Sequence, residues 1–146
     1  MLILRDVQVD ALEEHLFGAM QQRVERAIAA TLPELSAAVR AAGGDPAGDG
    51  PGSVRAVVAR GIENAVEFEI GDGPDFAAFI ALGLALRLGP PGPSADWIYG
   101  YLRRPDVSGP IKLRMIESRL RRLAEDEPAL AAIARRVAQA REGAAE

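Results

Sequence analysis

RGIENAVEFEIGDGPDFAAFIALGLALRL, residues 60–88, decides the fold class. Its first part continues a stripe of Val54, Val57, Val58, Gly61, Ile62, Ala65 and Val66, spaced at the three- and four-residue steps of an amphipathic helix. The turn Gly71-Asp72-Gly73-Pro74 ends that unit, and from Phe76 to Leu88 only Arg87 carries a charge. A helix apolar on nearly every side has to be surrounded by others, and this run is shorter than the roughly 20 residues a membrane span needs. Residues from about 74 to 88 therefore read as the buried centre of an all-α bundle. Gly61 and Gly83 each stand where glycine is about 1 kcal/mol less favourable than alanine, so both are expected to mark close helix crossings.

Upstream, Val9, Leu12, Leu16, Met20 (with Ala19), Val24 and Ile28 (with Ala27) form one apolar stripe on a long first helix, with Asp6 as its expected N-cap. A break near Thr31 precedes Pro33, which suits the first turn of a short helix through Arg40 because its missing N–H is unpaired there anyway. GGDPAGDGPG, residues 43–52, holds five glycines and two prolines and reads as a flexible loop. Ser53 follows as an N-cap for the helix of the Val54 stripe. Downstream, Gly89-Pro90-Pro91-Gly92-Pro93 is a second break, and Ser94 is expected to cap a short helix bearing Trp97, Ile98, Tyr101 and Leu102. Trp97 and Tyr101, one turn apart, would close one end of the core. Pro110 opens a helix with Ile111, Met115 or Ile116, Leu120 and Leu123 inward. A last helix carries Leu130, Ile133, Ala134 and Val137, and its end is expected to fray from about residue 140. The sum is five to seven helices in a single domain over residues 1–146.

Composition removes several chemistries. The absence of cysteine excludes a disulfide framework, a thiolate nucleophile and a cysteine-based zinc site. His15 is the only histidine and cannot assemble an ordinary zinc site alone. Ser53 and Ser94 sit at helix starts, and no Gly-x-Ser-x-Gly elbow occurs. The two glycine-rich turns contain Asp and Pro, which add negative charge and remove N–H donors, so neither makes a phosphate cradle. Asp45, Asp49, Asp72 and Asp75 lack calcium-loop spacing. Glu63 and Glu67, four apart with Glu69 beyond, form a solvated acidic face unless a pocket encloses them. These residues imply no catalytic group, no cofactor and no metal. The opening MLILRD is too short for a signal-peptide apolar region, and the chain is expected to be cytoplasmic, or exported by a route that leaves no cleavable signal.

The net charge of −4 is unevenly distributed. Residues 1–102 hold 7 basic and 14 acidic side chains, a net of −7, and residues 103–146 hold 10 and 7, a net of +3. All cations but Lys112 are arginines. Arg114, Arg119, Arg121 and Arg122, with Arg135 and Arg136, form the strongest charge cluster. It could serve an acidic protein partner, a nucleic acid, or no partner at all as a solvated face. Interleaved Glu117, Glu125, Asp126 and Glu127 and the overall acidity weigh against nucleic acid.

Three patterns resemble a group of small helical proteins from bacterial type VI secretion and polymorphic-toxin loci. They are Leu2-Ile3-Leu4-Arg5-Asp6-x-Gln8, Arg60-Gly61-Ile62-Glu63-x-Ala65, and Asp75-x-x-x-Phe79-Ile80-x-Leu82 followed by the segment containing Trp97. The resemblance covers roughly residues 1–120. It implies a non-enzymatic accessory role, adaptor or chaperone-like, with a secreted effector, toxin or spike component as partner. An immunity protein that neutralises a cognate toxin, or a small nucleic-acid-binding regulator using the C-terminal arginines, are the other expectations. The oligomeric state is left open.

Overall fold

The structure is a computed structural model that describes residues 2–48, 50, 52–88 and 96–145, with side chains from residue 14 onward apart from those of 88 and 96. Seven helices and no strands occur among the described residues: α1 Leu2–Thr31, α2 Pro33–Ala41, α3 Val54–Glu67, α4 Gly73–Leu88, α5 Asp96–Leu102, α6 Gly109–Leu123 and α7 Pro128–Ala145. The all-α expectation is met. The chain breaks where its local chemistry says it should, with Pro33 opening α2 and Ser53 Oγ accepting from the Ala56 N–H at 3.2 Å to cap α3. Asp72 caps α4 by accepting from the Asp75 N–H at 2.9 Å.

α4 is the central element and packs against α1, α2, α3, α6 and α7. Its apolar circumference serves two hydrophobic clusters at once. Phe76, Ala77, Ile80, Ala81, Leu84 and Ala85 face α1, α2, α3 and the end of α7, where they meet Val24, Ile28, Leu32, Val58, Ile62 and Ala140. Ala78 and Leu82 face the other way, onto Ile98, Leu113, Ile116, Leu120 and Val137. Phe68, Phe79 and Ile133 touch both clusters and join them. Gly61 is where α3 meets Ile80, whose Cγ1 would lie 2.6 Å from an added Cβ, so that close crossing is present.

Several expectations are overturned. α1 begins at Leu2, so residue 6 lies inside the helix and is not its cap. Gly83 faces solvent with nothing within 4 Å of an added Cβ, and it makes no crossing. Leu16 (57% exposed) and Val66 (56% exposed) lie outside the core that their stripes predict. Leu16 falls beyond the end of the bundle, and Val66 lies past the buried line of Val58, Ile62 and Ala65 on α3. On α6 the inward face is Lys112, Leu113, Ile116 and Leu120, and Ile111 is half exposed. The C-terminal end does not fray at residue 140. α7 continues to Ala145, with Ala140 and Ala144 buried and Gly143 close enough to Ala27 that a Cβ would stand 3.1 Å from it. Small side chains let α7 and α1 approach closely, and packing holds the end that weak propensity would release. The cap expected of Ser94 lies outside the described residues.

Candidate functional site

The surface that gathers charge and exposed apolar area is the outer face of α6 with the adjoining part of α5. Two anchors orient it. Gly109, the first residue of α6, lies against the backbone of Phe68 and Glu69, where an added Cβ would stand 2.4 Å from the Phe68 carbonyl oxygen. Lys112 is buried and its Nζ donates to the Leu102 carbonyl oxygen at 3.0 Å. That places a cation on an unpaired carbonyl at the C-terminal end of α5, where both the helix dipole and the unmade hydrogen bond favour it. With Leu113, Ile116 and Leu120 inward, the opposite side of α6 presents Ile111, Arg114, Met115, Ser118, Arg121 and Arg122.

Tyr101 joins Ile111, Arg114, Met115, Ser118 and Arg122 around an open groove. Tyr99, also on α5, is 53% exposed, with the Arg103 guanidinium 5.9 Å from its ring centroid. The groove floor is apolar and its rim cationic. Such a combination can bury an apolar side chain while pairing carboxylates at the edge.

The six arginines singled out by sequence divide sharply. Arg114, Arg121 and Arg122 are exposed on this one face of α6. Arg119 is engaged elsewhere, its guanidinium 4.7 Å from the Trp97 ring centroid and 6.0 Å from that of Tyr101. Trp97 and Tyr101 themselves form the expected pair, edge to face at 6.1 Å. Arg136 is ion-paired with Glu34 of α2, whose carboxyl is held below its usual range chiefly by that hydrogen bond. Arg135 is exposed on α7.

Sequence reasoning missed an arginine engaged by two carboxylates. Arg141 Nη1 lies 2.5 Å from the buried Asp75, and its Nε and Nη2 donate to Glu117 at 3.1 and 2.8 Å. Burial works against the Arg141 charge, but the hydrogen bonds to Glu117 and Asp75 more than offset it and raise its pKa. The group ties α4, α6 and α7 together. A second cationic groove was also missed, lined by Arg26, Arg40 and Arg55 with Glu25, Ser36 and Val54 between α1, α2 and the start of α3. Glu25 lies 3.4 Å from Arg55 there. Those arginines are far apart in sequence and converge only through the α1–α2 hairpin.

Glu63 and Glu67 are both exposed, without the enclosure that acid–base work requires, so that reading of the pair falls. His15 is exposed as well. Among the described residues no group of three or more His, Asp or Glu is placed to hold a metal, and no helix is long and apolar enough to cross a membrane. No family model, curated protein or solved structure matches the chain.

Proposed function

We propose that the chain is a non-enzymatic helical accessory protein, an adaptor or chaperone-like component of a bacterial secretion or toxin system, and that it binds an acidic segment of a protein partner. The observation that supports the binding surface is the outer face of α6, where Arg114 and Arg122 line one groove with the half-exposed Ile111 and Arg121 is exposed on the same helix. Arginine suits this role because its planar fork pairs carboxylates bidentately and is weakly hydrated, so it tolerates the desolvation that docking brings. Exposed Glu125, Asp126 and Glu127 follow directly after α6. They would repel a continuous polyphosphate, so the face favours discrete carboxylates over a nucleic-acid backbone. The secretion or toxin setting rests on the sequence resemblance over residues 1–120.

The test is co-purification of the tagged chain from a host expressing the products of its neighbouring genes. A stable complex should form, and Arg114→Glu with Arg122→Glu should weaken it at least ~10-fold, or about 1.4 kcal/mol. Isolation of the chain entirely alone under those conditions would sink the proposal. Rescue of cells from a neighbouring toxin, lost in the same double variant, would identify an immunity protein instead of an adaptor. Salt-sensitive retention on DNA or RNA would shift the reading to a nucleic-acid regulator.

A further inference from the structure

The bundle accounts for only the second half of α1. Met20 marks where its neighbours stop, since a Cβ on Gly73 at the start of α4 would stand 3.1 Å from Met20 Cγ and 3.9 Å from the carbonyl oxygen of Ala144 near the end of α7. Before it, Glu14, His15, Leu16, Phe17 and Gly18 are all exposed. Five consecutive helical residues, at about 100° each, pass right round the helix, so at this level no face of α1 is covered. Leu16 is 57% and Phe17 49% exposed. Residues 14–18 thus stand clear of the bundle, and the helix runs on from them to Leu2, an arm of residues 2–18.

Three properties of the arm match the α6 groove. The first is charge: the arm sequence LILRDVQVDALEEHLFG holds one arginine against Asp6, Asp10, Glu13 and Glu14, a net of −3, whereas the groove is rimmed by Arg114 and Arg122 with Arg121 beside it. The second is apolar content, with Leu16 and Phe17 uncovered on the arm and Ile111 uncovered on α6. The third is length: an arm of about 17 residues spans about 25 Å at 1.5 Å per residue, close to the 15 residues of α6. The chain's own arm does not fill the groove, since α1 does not pack against α6.

The geometry points to a second copy of this chain as the occupant: the α1 arm of one copy lies in the α6 groove of the other, and the exchange is reciprocal about a two-fold axis. An amphipathic helix laid in a complementary groove is a common mode of recognition, and the two-fold closes the assembly at a dimer instead of a filament. This inference rests on the reading of the α6 face as a binding surface and gives that surface a regulator. The acidic arm occupies the site an acidic partner would take, so the dimer is a self-occluded store and partner binding releases monomers.

The experiment is sedimentation velocity of the full chain up to ~100 μM, a range that captures micromolar association. The wild type should be a dimer that weakens with added salt. Leu16→Glu with Phe17→Glu, and separately Arg114→Glu with Arg122→Glu, should each raise the dimer dissociation constant at least ~10-fold; all four positions are solvent-accessible, and unchanged circular dichroism confirms folding. Mixing the two variants restores one intact arm-and-groove junction and should yield a heterodimer. A monomeric wild type overturns the inference. A dimer lost through the arm variant but kept in the groove variant overturns it too, because the arms then pair with each other. Neither result touches partner binding, which the co-purification reads independently.

Discussion

At the scale of single residues, two helix ends solve the same problem differently. α2 and α3 both end in a Schellman motif. In α2 the Gly44 N–H reaches the Val39 carbonyl and the Gly43 N–H the Arg40 carbonyl, with Gly43 at φ 87°. In α3 the Ile70 N–H reaches the Ala65 carbonyl and the Glu69 N–H the Val66 carbonyl, and the residue in the left-handed region is Glu69 at φ 64°. A side chain there is strained by about 1–2 kcal/mol. What holds it is the buried Ile70 on one side and Gly109 against the Phe68–Glu69 backbone on the other. Glu69→Gly should therefore stabilise the protein by about 0.5–1 kcal/mol in urea unfolding, whereas Gly109→Ala should destabilise it by at least ~2 kcal/mol because backbone must move. A second pair has opposite signs for another reason. Gly83→Ala meets open space in a helix interior and should stabilise by about 0.5–1 kcal/mol. Gly61→Ala drives a methyl into Ile80 Cγ1, and the overpacking, about 1–3 kcal/mol, should outweigh the same propensity gain. If both glycine substitutions changed stability in the same direction, the assignment of one crossing and one open face would be wrong.

At the scale of elements, periodicity and turn residues were enough to locate the helices and to make α4 their centre, because those signals are local. Rotation and exposure were harder to read, because they are set by distant partners. Ile111 is apolar and Lys112 charged, yet α6 turns Lys112 inward since the Leu102 carbonyl needs a donor, a bond that hydropathy does not reveal. The arginines sort by the same rule. Arg119 goes to Trp97, Arg141 to Asp75 and Glu117, and Arg136 to a carboxylate 102 residues away, leaving only part of the sequence cluster on the candidate face. The Arg136–Glu34 pair, which fastens α7 to α2, makes a test by pH. Glu34 has a lowered pKa in the folded state, so its contribution is present above the unfolded pKa and disappears as pH falls through the folded one. Both side chains are about a third exposed, so solvent screening limits the pair to about 0.5 kcal/mol. Glu34→Gln should lower the melting temperature slightly at pH 7, and wild type and variant should converge below the normal carboxylate range. A difference that survives to low pH would mean the side chain acts by packing and not by charge.

For the whole molecule, the question is whether two hydrophobic clusters unfold as one. They share α4, whose opposite faces supply Ile80 and Ala81 to one and Ala78 and Leu82 to the other. Phe68, Phe79 and Ile133 bridge them in apolar contact, and Arg141 bridges helices of both through Asp75 on α4 and Glu117 on α6. Asp75 is 4% exposed, so removing its partner strands a carboxylate in a poorly solvated site. Breaking such a pair by deleting one member costs about 3–5 kcal/mol, and the partial exposure of Arg141 places the expected loss for Arg141→Met at the lower end. Asp75→Asn with Arg141→Met should recover part of that loss, because the more deeply buried carboxylate is then neutral and only Glu117, 15% exposed, is left without its partner. Trp97, the only tryptophan, packs against the second cluster and therefore reports on it, while far-ultraviolet circular dichroism reports on all the helices. In the wild type the two signals should trace one superimposable transition. In Arg141→Met the apolar bridge of Phe68, Phe79 and Ile133 remains, so the midpoint should fall while the two curves stay coincident. If tryptophan fluorescence instead changes at lower denaturant than the dichroism, the ion network rather than the shared face of α4 couples the two halves.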